Sequence, residues 1–301
     1  MAENSLKNIA KHVKNVNNAG LIVIIASSLA IFGVPVGMLA GVIVSFYALE
    51  APTKNFLVIL LVAIIPSLIG FFMLESELST QVFLQMTVYI FLLGIVSYTL
   101  RIYNSWSMVL QVIGLVGPGL IICLYLIFPD IDNWWLERLQ AFFENADVEQ
   151  SEEVLRLYSQ YATGMQVMSF SFSAMITLFL ARYWQACIYS KKKKLRLECL
   201  HVQLPSLSLA FIAFLGVCAI LKVSWALDAF IVSLLPPFFV GASLVHLLCD
   251  KNVRKSNRVF FLIIFYMLNL IAFPFVPILV AMVGISDYIL QLRKRFDLIN
   301  K

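Results

Sequence analysis

Arg182 and Gln185, three residues apart in the stretch "ARYWQACIYSKKKK" (Ala181–Lys194), are the pair in this chain best suited by type and spacing to bind something. A planar guanidinium and a carboxamide on one helical face offer donors to a phosphate or a carboxylate, and an ionisable group inside an apolar run is a functional candidate by default. A simpler reading has Arg182 snorkel toward headgroups while Tyr183, Trp184 and Tyr189 form an interfacial aromatic belt, which accounts for the stretch except Gln185. Asp228, just after Trp225, and Asp287, just after Gly284, are acids within other apolar runs. Each either pairs with a basic group or serves a ligand, and Asp287 could equally cap a helix end or meet Arg293 or Arg295.

Little else in the chain invites a reaction. Cys123, Cys187, Cys199, Cys218 and Cys249 are scattered without a Cys-x-x-Cys pair and read as buried thiols. His246 with Cys249, and Glu198 with Cys199 and His201, supply no full set of metal ligands at a recognised spacing, so neither metal nor cofactor is expected. Ser169, Ser171, Ser173 and Thr177 read as hydroxyls bonding back to their own helix. There is no Walker loop, dinucleotide fingerprint, His-Glu-x-x-His or nucleophile elbow, so no catalytic residue is assigned and the chain is read as a non-enzyme. The basic clusters are short and flank apolar runs, which favours anionic lipid headgroups over nucleic acid as a partner.

The elements that must position these residues follow from composition. With 61% hydrophobic and 13% charged residues among 301, the chain cannot cover itself with a water-facing shell. It reads as an all-α, polytopic helical membrane protein. Apolar runs span Gly20–Glu50, Phe56–Met73, Val82–Leu100, Trp106–Phe128, Met165–Tyr189, Leu207–Leu221, Trp225–Leu248 and Val259–Leu292. The first and last are too long for one crossing, and each carries a breaker: Gly33-Val34-Pro35-Val36-Gly37, and Phe273-Pro274-Phe275-Val276-Pro277. Gly33, Gly37 and Gly41 also recur every four residues, a spacing that suits close helix packing or, alternatively, a ligand path.

Charge asymmetry decides between crossing and folding back. If both long runs double back at their prolines, every substantial basic segment (the N-terminus, Lys54, Arg101, Lys191–Arg196, Lys251–Arg258, Arg293–Arg295) lies on one side, and the acidic segments lie on the other. Only Lys222 disagrees. About ten helical segments are therefore expected, or eight if the broken halves are re-entrant, with both termini cytoplasmic.

Five regions follow in order: an amphipathic lead over 1–18, membrane helices over 19–129, an acidic insert over 130–163, membrane helices over 164–292, and a basic tail over 293–301. In the lead, Leu6, Ile9, Val13 and Val16 face opposite to Lys7, Lys11 and Lys14. The insert holds eight acids against two arginines. Trp135, Leu139, Phe142 and Phe143 share one face of a helix there, suited to the outer interface or to a protein partner. Ser151, followed by Glu152 and Glu153, reads as the N-cap of a helix that continues into the membrane.

The segment "LARYWQACIY" (Leu180–Tyr189) resembles the Arg-aromatic-Trp-Gln segment of the bacterial membrane family called domain of unknown function 2232. Ser190–Lys194 replace the family's Gly-rich turn, and "LRLECLHVQLP" (Leu195–Pro205) is similar to the stretch that follows it. "ASLVHLLCDKN" (Ala242–Asn252) and "GISDYILQLRKRF" (Gly284–Phe296) resemble a helix end and the Gly-x-x-Asp ending of the same family. The resemblance implies a multi-pass protein of the bacterial inner membrane, with a fold like that of the substrate-binding subunits of energy-coupling-factor transporters. It also implies recurrent positions at Arg182, Trp184, Gln185, Tyr189 and Asp287, and it brings no established activity.

The leading expectation is therefore binding or transport of a small anionic or amphiphilic molecule without an ATPase in this chain. Arg182, Trp184, Gln185, Tyr189 and Asp287 are the ligand candidates; Gly33, Pro35, Gly37, Gly41, Pro274 and Pro277 are the helix-break and packing candidates, with a midplane site expected where the two breaks approach. A scaffold acting through its loops is the alternative, and a lipid-modifying enzyme ranks third.

Overall fold

The computed structural model describes residues 15–29, 34–73, 77–146, 148 and 150–295. Within them the regular structure is entirely helical: α1 (Val16–Leu29), α2 (Val34–Glu50), α3 (Thr53–Met73), α4 (Glu77–Tyr103), α5 (Trp106–Ile127), α6 (Ile131–Asn145), α7 (Glu152–Ile188), α8 (Lys192–Leu200), α9 (Ser206–Ile220), α10 (Ala226–Ser233), α11 (Leu235–Asn252), α12 (Arg258–Ile271), α13 (Phe275–Leu290) and α14 (Leu292–Arg295). Four stretches among the described residues are long and apolar enough to cross a membrane: Gln85–Tyr103, Trp106–Ile127, Glu152–Ile188 and Ala226–Asn252. The amphipathic lead up to Lys14 and the tail beyond Arg295 lie outside the described residues.

Both overlong runs are broken. α12 and α13 meet at a bend of 118°, with the break at Ala272–Pro274 and Pro277 already inside α13. In the first run α1 and α2 are separate helices packed on each other. Gly33 lies outside the described residues; α2 has begun by Val34, with Pro35 in its first turn, where a missing N–H forfeits no helical hydrogen bond. The run Trp225–Leu248 stays within one stretch long enough to cross, interrupted by a turn at Leu234 that divides it into α10 and α11. The reason is Pro236-Pro237, which supply no N–H and so suit the first turn of a new helix rather than the interior of an old one.

The chain divides into two compact units interleaved along the sequence, the first drawn from 1–109 and 170–199, the second from 110–169 and 200–301. The linear order of regions read from hydropathy does not mark this division, because α5 and α7 each contribute residues to both units. In the first unit α1 packs on α2 and α3, α3 on α4, and α2 on α4, around Phe46, Ile59, Leu93, Val96 and Leu178. Close packing at Gly41 is real: an added Cβ would lie within 2.9 Å of Tyr89 Oη, Leu93 and Thr177. Thr177 shares a 2.9 Å hydrogen bond with Tyr89 instead of bonding back to its own helix, and Ser169 alone of the hydroxyl run donates back, to Met165 O at 2.8 Å.

In the second unit α11 and α13 touch backbone to backbone. A Cβ on Gly241 would overlap the Val280 carbonyl oxygen, and one on Gly284 the Pro237 carbonyl oxygen. Beside them α9 and α10 pack round Ile121, Val167, Leu215, Ala229 and Val232. α7 starts as its sequence requires: Val154 N–H donates to Ser151 Oγ at 3.4 Å, and Arg156 pairs with Glu152 at 2.7 Å.

Candidate functional site

Arg182 sits near the C-terminal end of α7, in the first unit, where the chain turns through Ser190 in a left-handed conformation (φ 54°) and returns as α8. That reversal lays Glu198 against Arg182. The guanidinium donates to Glu198 Oε1 at 3.0 Å and Oε2 at 3.2 Å, to Asn104 Oδ1 at 3.0 Å and to Gln185 Oε1 at 2.5 Å. Gln185 in turn donates to Glu50 Oε1, whose other carboxylate oxygen accepts from Tyr189 Oη at 2.6 Å. The Arg182 and Glu198 side chains retain only 17% and 15% of their exposure, so their attraction is weakly screened. Asn104 reaches the network because α4 ends there in another left-handed residue, φ 47°.

These side chains line a cleft of about 270 Å³ with Ala186, Leu195, Lys191 and Lys194. Arg182 and Gln185 do share a face. Contrary to expectation, the guanidinium is not an open donor set, since Glu198, Asn104 and Gln185 already engage it. Lys194 stands 3.9 Å from Glu198 and remains largely exposed, while Lys191 lies over the Tyr189 ring at 5.7 Å. A bound anion would meet the two lysines first and would have to displace Glu198 to reach Arg182.

Trp184 turns to the packed side of α7, its ring 4.8 Å from that of Phe46, and so contributes packing between α7 and α2 rather than a wall of the cleft. Asp287 belongs to the second unit. The left-handed Gln291 (φ 49°) ends α13 and folds Arg293 back, so that its backbone N–H donates to Asp287 Oδ1 at 3.2 Å and its Nε to Oδ2 at 2.7 Å. Arg293 also donates to Leu200 O at 2.5 Å and to Val240 O and Ser243 Oγ, each at 3.3 Å. With Arg293 3% and Asp287 7% exposed, this is a closed ion pair tying Leu200, α11, α13 and α14 together within the second unit. Of the roles open to Asp287, meeting Arg293 is observed, and the same carboxylate also accepts from the Arg293 backbone N–H at the start of α14.

No protein-family model matches the chain, and neither does any curated protein or solved structure. What the candidates do must therefore come from their own geometry. The helix-break residues divide between the units, Pro35, Gly37 and Gly41 in the first and Pro274 and Pro277 in the second. The cleft at Arg182 is built from helix ends instead. Glu50, Asn104 and Glu198 were missed as its partners; the one available signal was that charge bias assigns the ends of α2, α4 and α7, and the start of α8, to a single side.

A second polar cluster lies inside the second unit, at the end of α5. Tyr125 Oη is 2.8 Å from Asp132 Oδ1 on α6 and 3.1 Å from Asp228 Oδ2 on α10. Asp228 is 1% exposed, and its Oδ1 is sealed from solvent without a hydrogen-bond partner, against the backbone of Gly164 on α7, where any Cβ would collide with it. Trp135 fixes α6 alongside by donating its indole N–H to Thr163 Oγ1 at 3.0 Å. Burial raises the Asp132 carboxyl above its ordinary value, opposed by the hydrogen bond from Tyr125. Asp228 is thus joined to a second acid through the Tyr125 hydroxyl, not paired with a basic group. Elsewhere His246 Nε2 lies 2.8 Å from Tyr266 Oη, and among the described residues no three His, Cys, Asp or Glu side chains gather as metal ligands.

Proposed function

We propose that this chain is a multi-pass membrane protein that binds a small anionic or amphiphilic molecule in the Arg182 cleft, and holds or moves it using an energy source outside the chain. One observation carries this reading: a guanidinium fixed by Glu198, Asn104 and Gln185 on the wall of a cleft of about 270 Å³ that two lysines also line. An anionic head attracted by Lys191 and Lys194 exchanges with the Glu198 carboxylate on Arg182, and the displaced Glu198 keeps Lys194 as a partner one helical turn away. Leu195 and Ala186 offer an apolar wall to an acyl or aromatic tail. By its charge bias and its resemblance in "LARYWQACIY", the chain belongs in a bacterial inner membrane with both termini cytoplasmic, which puts the cleft on the cytoplasmic face.

The test is native mass spectrometry of the full chain titrated with short-chain phosphatidic acid and, separately, with inorganic phosphate. Each juxtamembrane lysine contributes about 1 kcal/mol to anion attraction, so Lys191→Gln with Lys194→Gln weakens binding by about 2 kcal/mol, close to 30-fold, with the unfolding midpoint unchanged. Equal retention of every lipid by both forms sinks the proposal.

A scaffold role has one observation in its favour: no residue of α6 is buried, and beyond the Trp135 contact with Thr163 its amphipathic face leaves Phe142 65% exposed. Crosslinking from Phe142 that recovers one protein rather than lipid favours this second reading.

A further inference from the structure

The Tyr125 hydroxyl lies within hydrogen-bond distance of two carboxyl groups, Asp132 at 2.8 Å and Asp228 at 3.1 Å. A phenol carries one proton and can donate it to only one of them. For the other contact to be a hydrogen bond, that carboxyl must hold a proton of its own and donate it to the phenolic oxygen. Two ionised acids facing one hydroxyl would leave one carboxylate against an oxygen lone pair in a site screened from water. From these positions we infer that Tyr125, Asp132 and Asp228 form a proton-binding site, in which one proton is shared by the two carboxyls across the tyrosine.

The surroundings favour a proton over any larger cation. Asp228 Oδ1 has no hydrogen-bond partner, and the Gly164 backbone occupies the space beside it, where even a methyl group does not fit. The ionisable groups acting on Asp228 are Tyr125 and Asp132, with no basic side chain among them. From α7 the neighbours are the Gly164 backbone and Thr163, whose hydroxyl accepts from Trp135; α9 adds apolar Phe211 and Leu215 to the adjoining core.

The site also has a direction. Asp132 is half-buried on α6 whereas Asp228 is sealed, so a proton enters at Asp132. Its O–H bond then breaks as the proton passes to Tyr125 Oη, while the phenol's original proton leaves to form an O–H bond on Asp228 Oδ2. Tyrosine stays neutral before and after, one carboxylate gains a proton, and the other loses one. Nothing besides the proton is consumed. The site is independent of the Arg182 cleft and lies in the other compact unit.

Infrared difference spectroscopy of the full chain in lipid nanodiscs, titrated in pH at fixed sodium, tests this. A carbonyl band from one protonated carboxyl is expected at neutral pH, lost in Asp228→Asn, an uncharged near-isostere of the protonated acid. Asp132→Asn removes a neighbouring like charge and should move the band's titration to lower pH by about one unit. Tyr125→Phe should draw the two titration steps of the carboxyls closer together, because the hydroxyl that stabilises the singly protonated pair is lost. Absence of the band in the unsubstituted protein, or its survival in Asp228→Asn with an unmoved titration in Asp132→Asn, overturns the inference. A titration midpoint that shifts with sodium concentration overturns the proton as the ligand.

Discussion

Asp287→Ala separates a structural ion pair from a ligand group. In the intact protein Arg293 is 3% exposed and makes five hydrogen bonds, two of them to Asp287 and three to Leu200 O, Val240 O and Ser243 Oγ. Removing the carboxylate leaves the guanidinium buried against neutral acceptors, and breaking a buried pair from one side costs about 3–5 kcal/mol. Arg293→Met strands the Asp287 carboxylate and should cost a similar amount. The double variant, Asp287→Leu with Arg293→Met, buries no charge and loses chiefly the donors to two carbonyls. It should therefore be more stable than the sum of the single losses implies, with a coupling of about 2–3 kcal/mol. Reversible unfolding in mixed micelles, followed by near-ultraviolet signal and by protection of Cys249 on α11, measures all three. A loss below about 1 kcal/mol in Asp287→Ala, with ligand retention reduced, would refute the structural assignment and return Asp287 to the binding candidates.

Three other outcomes follow from the packing. Gly241→Ala and Gly284→Ala place methyl groups on carbonyl oxygens that cannot rotate away, so each should force α11 and α13 apart and cost about 3 kcal/mol or more in the same unfolding assay. Gly119→Ala, with nothing within 4 Å, should be neutral or gain up to about 1 kcal/mol from helix propensity. The Cys199 thiol is pushed up to about 12 by burial, so the reactive thiolate is roughly one part in ten thousand at pH 8. Its alkylation by a water-soluble maleimide should stay negligible at pH 8 and climb about tenfold per pH unit; rapid labelling at pH 7 would show that α8 does not pack as described.

The all-helical fold was legible in the chain because a sequence so poor in charge can leave water only by satisfying its backbone within each segment. The last overlong run announced its break through Pro274, and Ser151 announced the start of α7, since those residues act on their own backbone within a turn. Arg182 and Gln185 could be placed on one face from their spacing of three. Their partners could not: Glu50, Asn104 and Glu198 are 135, 78 and 16 residues from the side chains they meet. Trp184 looked equally eligible for the cleft, and only its contact with Phe46 shows which way it faces.

Sequence alone settled which segments are helical and apolar, roughly where they stop, and which of their ends carry like charge, because these are local consequences of composition and backbone chemistry. Tertiary structure decided which polar side chains meet. Helices that are apolar on nearly every side give no periodic signal for the face turned toward a neighbour. The closing of Glu198 on Arg182, of Arg293 on Asp287, and of two acids on Tyr125 was fixed by chain reversals at Ser190 and Gln291 and by the packing of α5, α6, α7 and α10.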